Sequence, residues 1–211
     1  MIKYYVDKWG KIFKASSEDL EKKHLVGAFR EIHNKKGSKI MNKITLGQIR
    51  PGNIIKLGKK EYIVLGHGTD TTAIITKDFV NMMKFGENNN YQTSKIREYC
   101  NTTFYNELVE AVGAKNIIKH KVRLMADDGT NKGVICCDNV SILTTELYRR
   151  YRQYLPAYGN WWWTATPVSS TINNFTHRVC FVCPDGTLFW NNCNYCSGVR
   201  PFCILNSSIL I

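Results

Sequence analysis

Residues 180–196, CFVCPDGTLFWNNCNYC, decide between two architectures for the C-terminal part of the chain. The stretch holds two Cys-x-x-Cys pairs, which is the ligand pattern of a tetrahedral zinc site. It also holds Pro-Asp-Gly between two apolar runs, which is the pattern of a β-hairpin. In a strand, residues three apart lie on opposite faces, so Cys180 and Cys183 would not chelate one ion there. We therefore expect a hairpin. The alternative is a zinc module acting in nucleic-acid binding, with ligands Cys180, Cys183, Cys193 and Cys196.

In the hairpin interpretation, the end of this stretch forms a contact surface. Cys180 and Cys183 are then strand residues, at least one of them buried, and Cys193 and Cys196 lie in an exposed loop. Trp and Tyr supply rigid apolar contact area, and Asn supplies adaptable hydrogen bonds, as in antibody combining sites. The predicted ligand-binding residues are Phe175, His177, Trp190, Asn191, Asn192, Asn194 and Tyr195.

The sequence offers no set of residues typical of catalysis. Asp185 is the only carboxylate after Thr164, so paired acid–base chemistry has no candidates in this region. The five histidines show no metal or triad spacing. A cysteine nucleophile needs a neighbouring base, and the sequence indicates none. We predict a protein without catalytic residues, metal or cofactor.

Hydrophobic periodicity predicts a mixed α+β chain. An early strand and three strands of an antiparallel meander are predicted, followed by further short strands to the C-terminus. Helices are predicted over 16–37, 91–113 and 144–155, and the first carries an apolar stripe of Leu25, Ala28, Phe29 and Ile32. The predicted helix 91–113 carries Ile96, Cys100, Phe104, Leu108 and Ala111 on one face, and the early strands are predicted at 2–6, 53–57, 61–65 and 72–76. We expect two to three helices and a mostly antiparallel sheet.

The basic charge is concentrated near the N-terminus. The net charge is +12, and residues 1–60 hold 15 Lys and Arg against five Asp and Glu. A linker-like run near residue 40 divides a basic N-terminal extension, 1–40, from a main domain, 41–211. We expect residues 1–40 to serve homo-oligomerisation or attachment to a larger assembly. Such charge asymmetry is also found in nucleic-acid-binding chains, but a solvated helix face explains it as well, and we do not expect nucleic acid as the partner.

The sequence shows neither a membrane-spanning segment nor a secretory signal. No apolar run approaches the length of a membrane-spanning helix, and the first residues lack the features of a secretory signal. We therefore expect synthesis in the cytoplasm and no membrane insertion. Eight cysteines in such a chain are expected to be free thiols, and Cys100, Cys136, Cys137 and Cys203 are expected to act as small apolar side chains.

Three motifs in a fixed order resemble a known family. They are Y-x-x-S-x-I-R-x-x-x-N-x-x-F, WW-x-x-x-P and G-V-R-P. The matching residues are Tyr91, Ser94, Ile96, Arg97, Asn101, Phe104, Trp162, Trp163, Pro167, Gly198, Val199, Arg200 and Pro201. This set, spread over residues 42–211, is similar to C-type-lectin-fold domains of unassigned function from gut bacteria and their phages. Those domains are related to the formylglycine-generating-enzyme fold.

The resemblance implies a C-type-lectin-like fold and a non-catalytic binding role. It implies a phage or prophage origin, association with virions, and a protein or glycan ligand. Some proteins of this fold are variable proteins of diversity-generating retroelements, which rewrite adenines in Asn codons near the end of the gene. Such rewriting excludes Lys, Glu, Met, Gln and Trp, and from Thr164 onward the chain has no Lys, Glu, Met or Gln and only one Trp; an apolar, β-rich tail with Asn-rich turns would explain this composition as well. A formylglycine-generating-enzyme-like oxidase is the alternative that the same resemblance implies.

Overall fold

The computed structural model describes residues 44–211 except 132, 158 and 171–174, and, among the first 43, only the backbone of three short strands. The chain divides into two compact units, Met1–Asn42 and Lys43–Ile211. This division lies two residues beyond the boundary predicted near residue 40.

The first unit contains a three-stranded antiparallel sheet in the order β2-β1-β3. Its strands are β1, Ile2–Val6; β2, Ile12–Ser16; and β3, Arg30–Glu31. The predicted strand at 2–6 is confirmed. The helix predicted over 16–37 is wrong at Arg30–Glu31, because these residues pair with Val6 and Tyr5 of β1 and long-range pairing overrides local helix propensity. The apolar stripe of that predicted helix, from Leu25 to Ile32, lies outside the described residues.

The second unit is built from a six-stranded antiparallel sheet, a five-stranded sheet that is antiparallel except for the parallel pair of β12 and β15, and a two-stranded ribbon. The six-stranded sheet follows the order β11-β16-β6-β5-β4, with β8 also paired to β16. The five-stranded sheet follows the order β14-β13-β12-β15-β7, and β10 pairs with β9. The strands are β4, Ile54–Leu57; β5, Lys60–His67; β6, Thr71–Thr76; β7, Asn81–Lys84; β8, Ile117–Ile118; β9, His120–Arg123; β10, Ile135–Asp138; β11, Val140–Ile142; β12, Trp162–Pro167; β13, Arg178–Val182; β14, Leu188–Asn192; β15, Cys196–Val199; and β16, Pro201–Asn206.

The predicted meander is confirmed as β4, β5 and β6. These strands pair antiparallel in sequence order, as short turns between strand-like runs require. In β4, Ile55 and Leu57 are buried while Ile54 and Lys56 are exposed, which is the alternation of a half-buried strand. The inner strands β5 and β6 bury longer runs, since both their faces are covered.

The helix predicted over residues 91–113 is present but combines three hydrogen-bond spacings. A 3-10 turn, Tyr91–Thr93, precedes α1, Lys95–Tyr99; a π-helical turn, Cys100–Phe104, then leads into α2, Tyr105–Val112. Ser94 caps α1 by accepting a hydrogen bond from the Arg97 amide at 3.1 Å. Gly113 ends α2 with a φ of 80°, a conformation that glycine adopts without strain. The predicted apolar face is buried from Ile96 to Leu108, whereas Ala111 is exposed.

A second helix, α3, spans Thr145–Tyr151 and lies within the predicted range 144–155. Thr144 caps it by accepting from the Leu147 amide at 3.2 Å. Arg149 and Arg150 are exposed to solvent and form ion pairs with Asp127 and Glu146, respectively. The positive charges on this face of the helix are therefore paired with nearby carboxylates.

The core lies on both sides of β12. Successive residues of a strand point to opposite faces, and Trp163 and Trp162 enter different clusters of buried apolar side chains. Trp163 meets Phe85 and Phe181, while Trp162 meets Tyr148. The chain is therefore mixed α+β with mostly antiparallel sheets, as predicted. None of the helices in the described part of the chain has the length and apolar character needed to cross a membrane.

Candidate ligand-binding surface

The hairpin predicted from Pro-Asp-Gly is confirmed as β13 and β14. These strands pair antiparallel, with Arg178 opposite Asn192 and Cys180 opposite Trp190. Asp185 stabilises the turn by accepting hydrogen bonds from the amide and hydroxyl of Thr187 at 2.8 and 2.7 Å. The hairpin forms one edge of the five-stranded sheet, with β14 outermost.

Part of the backbone of β14 faces outward along this edge. The Cys183 amide donates to the Thr187 carbonyl and the Cys193 amide donates to the His177 carbonyl. In an antiparallel pair, every second pair of opposite residues is hydrogen-bonded, so on β14 Phe189 and Asn191 bond to β13. By that alternation, the amides and carbonyls of Leu188, Trp190 and Asn192 point away from β13. The Asn192 backbone amide donates to the side-chain oxygen of Asn191 at 2.8 Å. No described strand pairs with this side of Leu188 and Trp190, which therefore form an open stretch of strand edge.

Arg178 contacts two aromatic rings at the open end of the hairpin. The guanidinium carbon is 3.9 Å from the ring centre of Trp190 and 4.5 Å from that of Phe175. Guanidinium groups stack on aromatic faces in this way through cation–π attraction. Arg178 thus joins two of the predicted binding residues into one cluster.

A chain of aromatic contacts connects this cluster to the core. It runs from Phe85 to Trp163, Phe181, Phe189 and Trp190, with ring centres 5.8, 6.2, 6.4 and 5.3 Å apart in that order. Phe85 and Trp163 are fully buried, whereas Phe189 is 58% exposed. The exposed aromatic rings are therefore held by buried ones, which limits the rotamer entropy lost when a partner binds.

The turn after β14 presents Asn194 and Tyr195 to solvent. The Tyr195 amide closes the turn on the Asn192 carbonyl at 3.1 Å, and the Tyr195 side chain is 56% exposed. The expectation that Cys193 is exposed is wrong, since only 2% of it is accessible. Its amide donates to His177 at 2.7 Å and its carbonyl accepts from Phe85 at 2.9 Å, so the backbone at Cys193 ties the turn to the body of the domain.

A shallow cleft lies beside this turn. It is lined by Glu87, His177, Asn192, Cys193 and Asn194. Glu87 is paired with Lys95 at 3.0 Å. The cleft thus offers the His177 ring and two asparagine amides as groups that can form hydrogen bonds with a ligand.

Asn89 fixes the position of the segment that carries Phe175 and Arg178, and sequence reasoning missed it. Its buried side-chain amide donates to the carbonyls of Ser169, Phe175 and Arg178 at 2.8, 3.0 and 3.3 Å. Its backbone amide donates to Thr176 at 3.0 Å. The only signal in the sequence is the run of three asparagines, Asn88–Asn90, ahead of the helix motif.

The structure brings six of the seven predicted binding residues to one end of the hairpin. Phe175 and Trp190 share Arg178, His177 and Asn192 share the cleft with Asn194, and Tyr195 follows in the same turn. Asn191 differs, because strand alternation places it, like Phe189, on the face of β14 opposite Trp190 and Asn192; Phe189 still stacks on Trp190 at the strand edge. Sequence reasoning missed Arg178, Phe189 and Asn89. We define the hairpin surface as Phe175, His177, Arg178, Phe189, Trp190, Asn192, Asn194 and Tyr195; Phe175, Arg178 and Trp190 are half-buried and the others are exposed.

The cysteines do not assemble into a site. Cys180 and Cys193 are buried, Cys183 is half-buried and Cys196 is exposed. In the part of the chain that the structure describes, no three His, Cys, Asp or Glu side chains come close enough to hold a metal ion. Burial raises the pKa of the Cys180 thiol to about 12 and also raises the pKa of Cys193. These two thiols are therefore protonated near neutral pH, although both zinc binding and nucleophilic attack need the thiolate.

Most other cysteines are apolar core residues, as expected. Cys100, Cys136 and Cys203 are buried, and burial raises the pKa of each thiol. The expectation fails at Cys137, which is exposed because it alternates with Cys136 along β10.

The motif residues that suggested a family form the scaffold under the hairpin surface. Arg97 donates to Asp138 from Nε and Nη2 at 2.9 and 2.7 Å, and Asp138 is 1% exposed. The Asn101 amide nitrogen donates to the Val140 carbonyl at 2.8 Å. Arg200 is 1% exposed, lies over the Trp162 ring and donates to the Thr76 carbonyl. These motif side chains hold the two sheets and α1 together.

Comparison of the chain with protein-family models, with curated proteins and with solved structures gave no match. The functional argument therefore depends on the geometry of the hairpin surface.

Proposed function

We propose that the second unit is a C-type-lectin-like domain that binds a protein partner through the hairpin surface, without catalysis. The observation that carries the proposal is the row of aromatic side chains along the outer strand of a hairpin anchored in the core and in the turn after that strand: Phe189 and Tyr195 are exposed, and Trp190 is half-buried. Aromatic side chains held in this way are the residues that contribute most to binding energy at protein interfaces. The adjacent asparagines supply hydrogen bonds around them.

The open edge of β14 supports a protein partner over a glycan. An extended peptide segment can pair with the outward backbone groups of Leu188 and Trp190, as in strand addition to other sheets. A sugar bound at the same place would instead need a free face on Trp190, the aromatic residue of this open edge. The Trp190 ring already contacts the Arg178 guanidinium and stacks on Phe189 with a 14° angle between the rings.

A selection experiment tests the proposal. The full chain is used to select binders from a displayed library of random 12-residue peptides, and the affinities of synthetic copies are then measured. Phe189→Ala and Tyr195→Ala should each weaken binding about tenfold, the loss expected for a central aromatic contact. Met82→Ala is the matched control, because Met82 is 54% exposed on β7, at the other edge of the same sheet.

The expected result is a loss of affinity in the two aromatic variants and a change of less than about twofold in the control. Peptides that respond to Met82→Ala and not to the aromatic variants would place binding elsewhere and contradict the proposal. A selection that enriches no binder at all would also count against it.

The proposal includes a phage or prophage origin, a place on the virion, and diversification of the hairpin region by a retroelement. Its support is the sequence resemblance and the absence of Lys, Glu, Met and Gln after Thr164. Sequencing this gene from sibling isolates tests it. Substitutions confined to Asn-type codons within 171–203 are expected, and substitutions scattered evenly along the gene would refute diversification.

A further inference from the structure

Arg178 has an unusual environment for an arginine in a sheet. Its guanidinium carbon lies over the ring of Trp190 at 3.9 Å and over the ring of Phe175 at 4.5 Å from the ring centres. Among the described residues, it forms no ion pair and donates no side-chain hydrogen bond. The aromatic rings contact the guanidinium plane from above, but they offer no hydrogen-bond acceptor to its five N–H groups, which point outward within that plane.

No described carboxylate forms an ion pair with Arg178. After Thr164, the only other charged residues are Asp185 and Arg200. Asp185 lies in the turn at the far end of the hairpin and accepts from Thr187. Arg200 is 1% exposed. Glu87, the carboxylate of the neighbouring cleft, is paired with Lys95.

A stacked guanidinium with free in-plane donors is suited to one kind of ligand group. It presents parallel N–H bonds that match the two oxygens of a carboxylate, and such bidentate bonds are stronger than bonds between neutral groups. Because the two rings hold the side chain in place, less conformational entropy is lost when this pair forms.

We propose that Arg178 binds an Asp or Glu carboxylate in an extended segment of the protein partner, so that the hairpin surface is selective for acidic peptides. The inference rests on the proposed binding function and adds the chemistry of the ligand. A peptide is favoured over an acidic sugar because the faces of Trp190 are occupied and the edge of β14 is open at Leu188 and Trp190, next to Arg178. The acidic residue thus supplies charge and the peptide backbone supplies strand pairing.

The test uses 12-residue peptides selected on the full chain, each synthesised with its acidic residue and with the matched Glu→Gln or Asp→Asn change. Wild-type protein should bind the acidic peptide at least tenfold more tightly than its amide counterpart. Arg178→Gln should abolish that difference by weakening only the acidic peptide. Arg178→Lys should restore part of it, since lysine keeps the charge but loses the planar fork.

Arg150→Gln is the matched control, because Arg150 is an exposed arginine on α3 paired with Glu146. It should leave both affinities unchanged. Thermal unfolding of every variant is recorded, and the comparison of the two peptides on one protein is independent of any loss of stability.

Three results would overturn the inference. If peptides bind through Phe189 and Tyr195 with equal affinity in acidic and amide forms, the proposed function stands and the role of Arg178 does not. If the preference for acidic peptides survives in Arg178→Gln, another cation is responsible. If sialyllactose binds in an Arg178-dependent manner when lactose and the acidic peptides do not bind, the carboxylate belongs to a glycan.

Discussion

Gly198 occupies a position where even one methyl group does not fit. A Cβ atom there would lie 2.6 Å from two ring carbons of Phe79, well inside van der Waals contact. Overpacking of this kind costs about 1–3 kcal/mol. Gly198→Ala should therefore lower the free energy of unfolding by that amount, measured as a shift of the urea midpoint at constant slope.

Gly66→Ala is the control for this prediction. Its Cβ would lie 3.6 Å from the nearest atom, on the Tyr151 ring, which is an ordinary contact. The change should alter stability by less than about 0.5 kcal/mol or increase it slightly. Equal losses in both variants would show that Gly198 is not restricted by Phe79.

Burial of the Cys180 thiol should make the free energy of unfolding decrease as the pH rises into the alkaline range. Burial raises the pKa of its thiol from an ordinary value of 9.0 to about 12 in the folded protein. The unfolded chain therefore loses this proton first, so the stabilising contribution is complete below pH 9 and declines as the pH rises toward 12.

Comparison with Cys180→Ala measures that contribution. The stability difference between wild type and variant should narrow above pH 9, by up to about 1.4 kcal/mol per pH unit. Urea unfolding at pH 8, 9 and 10 provides the data, and Cys196→Ala serves as the control for removing an exposed thiol. A difference that stays constant with pH would contradict the burial of Cys180.

The residue-scale features of the hairpin surface were predicted unevenly. Trp190, Asn192 and Tyr195 could be predicted because residue type and turn signals are local. Asn89 and Arg178 could not, because their roles depend on partners far along the chain: Asn89 bonds carbonyls 80 to 89 residues away. Cys193 was predicted as exposed, since no local pattern indicates that its backbone forms hydrogen bonds with Phe85 and His177.

At the scale of elements, an ion pair links α1 to β10. Arg97 and Asp138 form a bidentate pair in which Asp138 is buried and Arg97 is partly exposed. Replacing Asp138 by a neutral residue leaves the Arg97 guanidinium, which is only partly exposed, without its counter-charge. Asp138→Asn should therefore destabilise the fold by about 3–5 kcal/mol, measured by urea unfolding.

Glu146→Gln is the matched control at this scale, because it breaks an exposed pair with Arg150 within α3. Its cost should be about 0.3–0.5 kcal/mol. If both variants lose the same small amount, the Arg97–Asp138 pair is not the link between helix and strand.

Elements with strong local signals were predicted best. The meander and the hairpin follow from alternating apolar residues bounded by Gly, Pro and Asp. The strand β7, Asn81–Lys84, was missed, because it is a four-residue edge strand whose two adjacent methionines, Met82 exposed and Met83 half-buried, form no alternating apolar pattern. The π-helical turn at Cys100–Phe104 was also missed. Asn101 lies within that turn and bonds Val140, a contact across 39 residues that no local pattern shows.

At the scale of the whole molecule, the two units are expected to have separate tasks. Half of the basic excess of residues 1–60 lies in Met1–Asn42, with ten Lys and Arg against five Asp and Glu. Deleting residues 1–42 should leave the thermal transition of the second unit and its peptide affinity within twofold of the full chain. It should reduce self-association, measured by light scattering. An unchanged oligomeric state would remove the assembly role of this unit, and loss of the folded second unit would contradict its independence.

The most direct test of the binding account is hydrogen–deuterium exchange of the full chain with and without a saturating selected peptide. The outward amides of Leu188 and Trp190 should exchange rapidly in the free protein, since they lack a strand partner. Peptide binding should slow exchange across residues 175–195, most strongly at these two amides. Protection confined to the meander, 54–76, or to residues 1–42, with none on β14, would contradict the account.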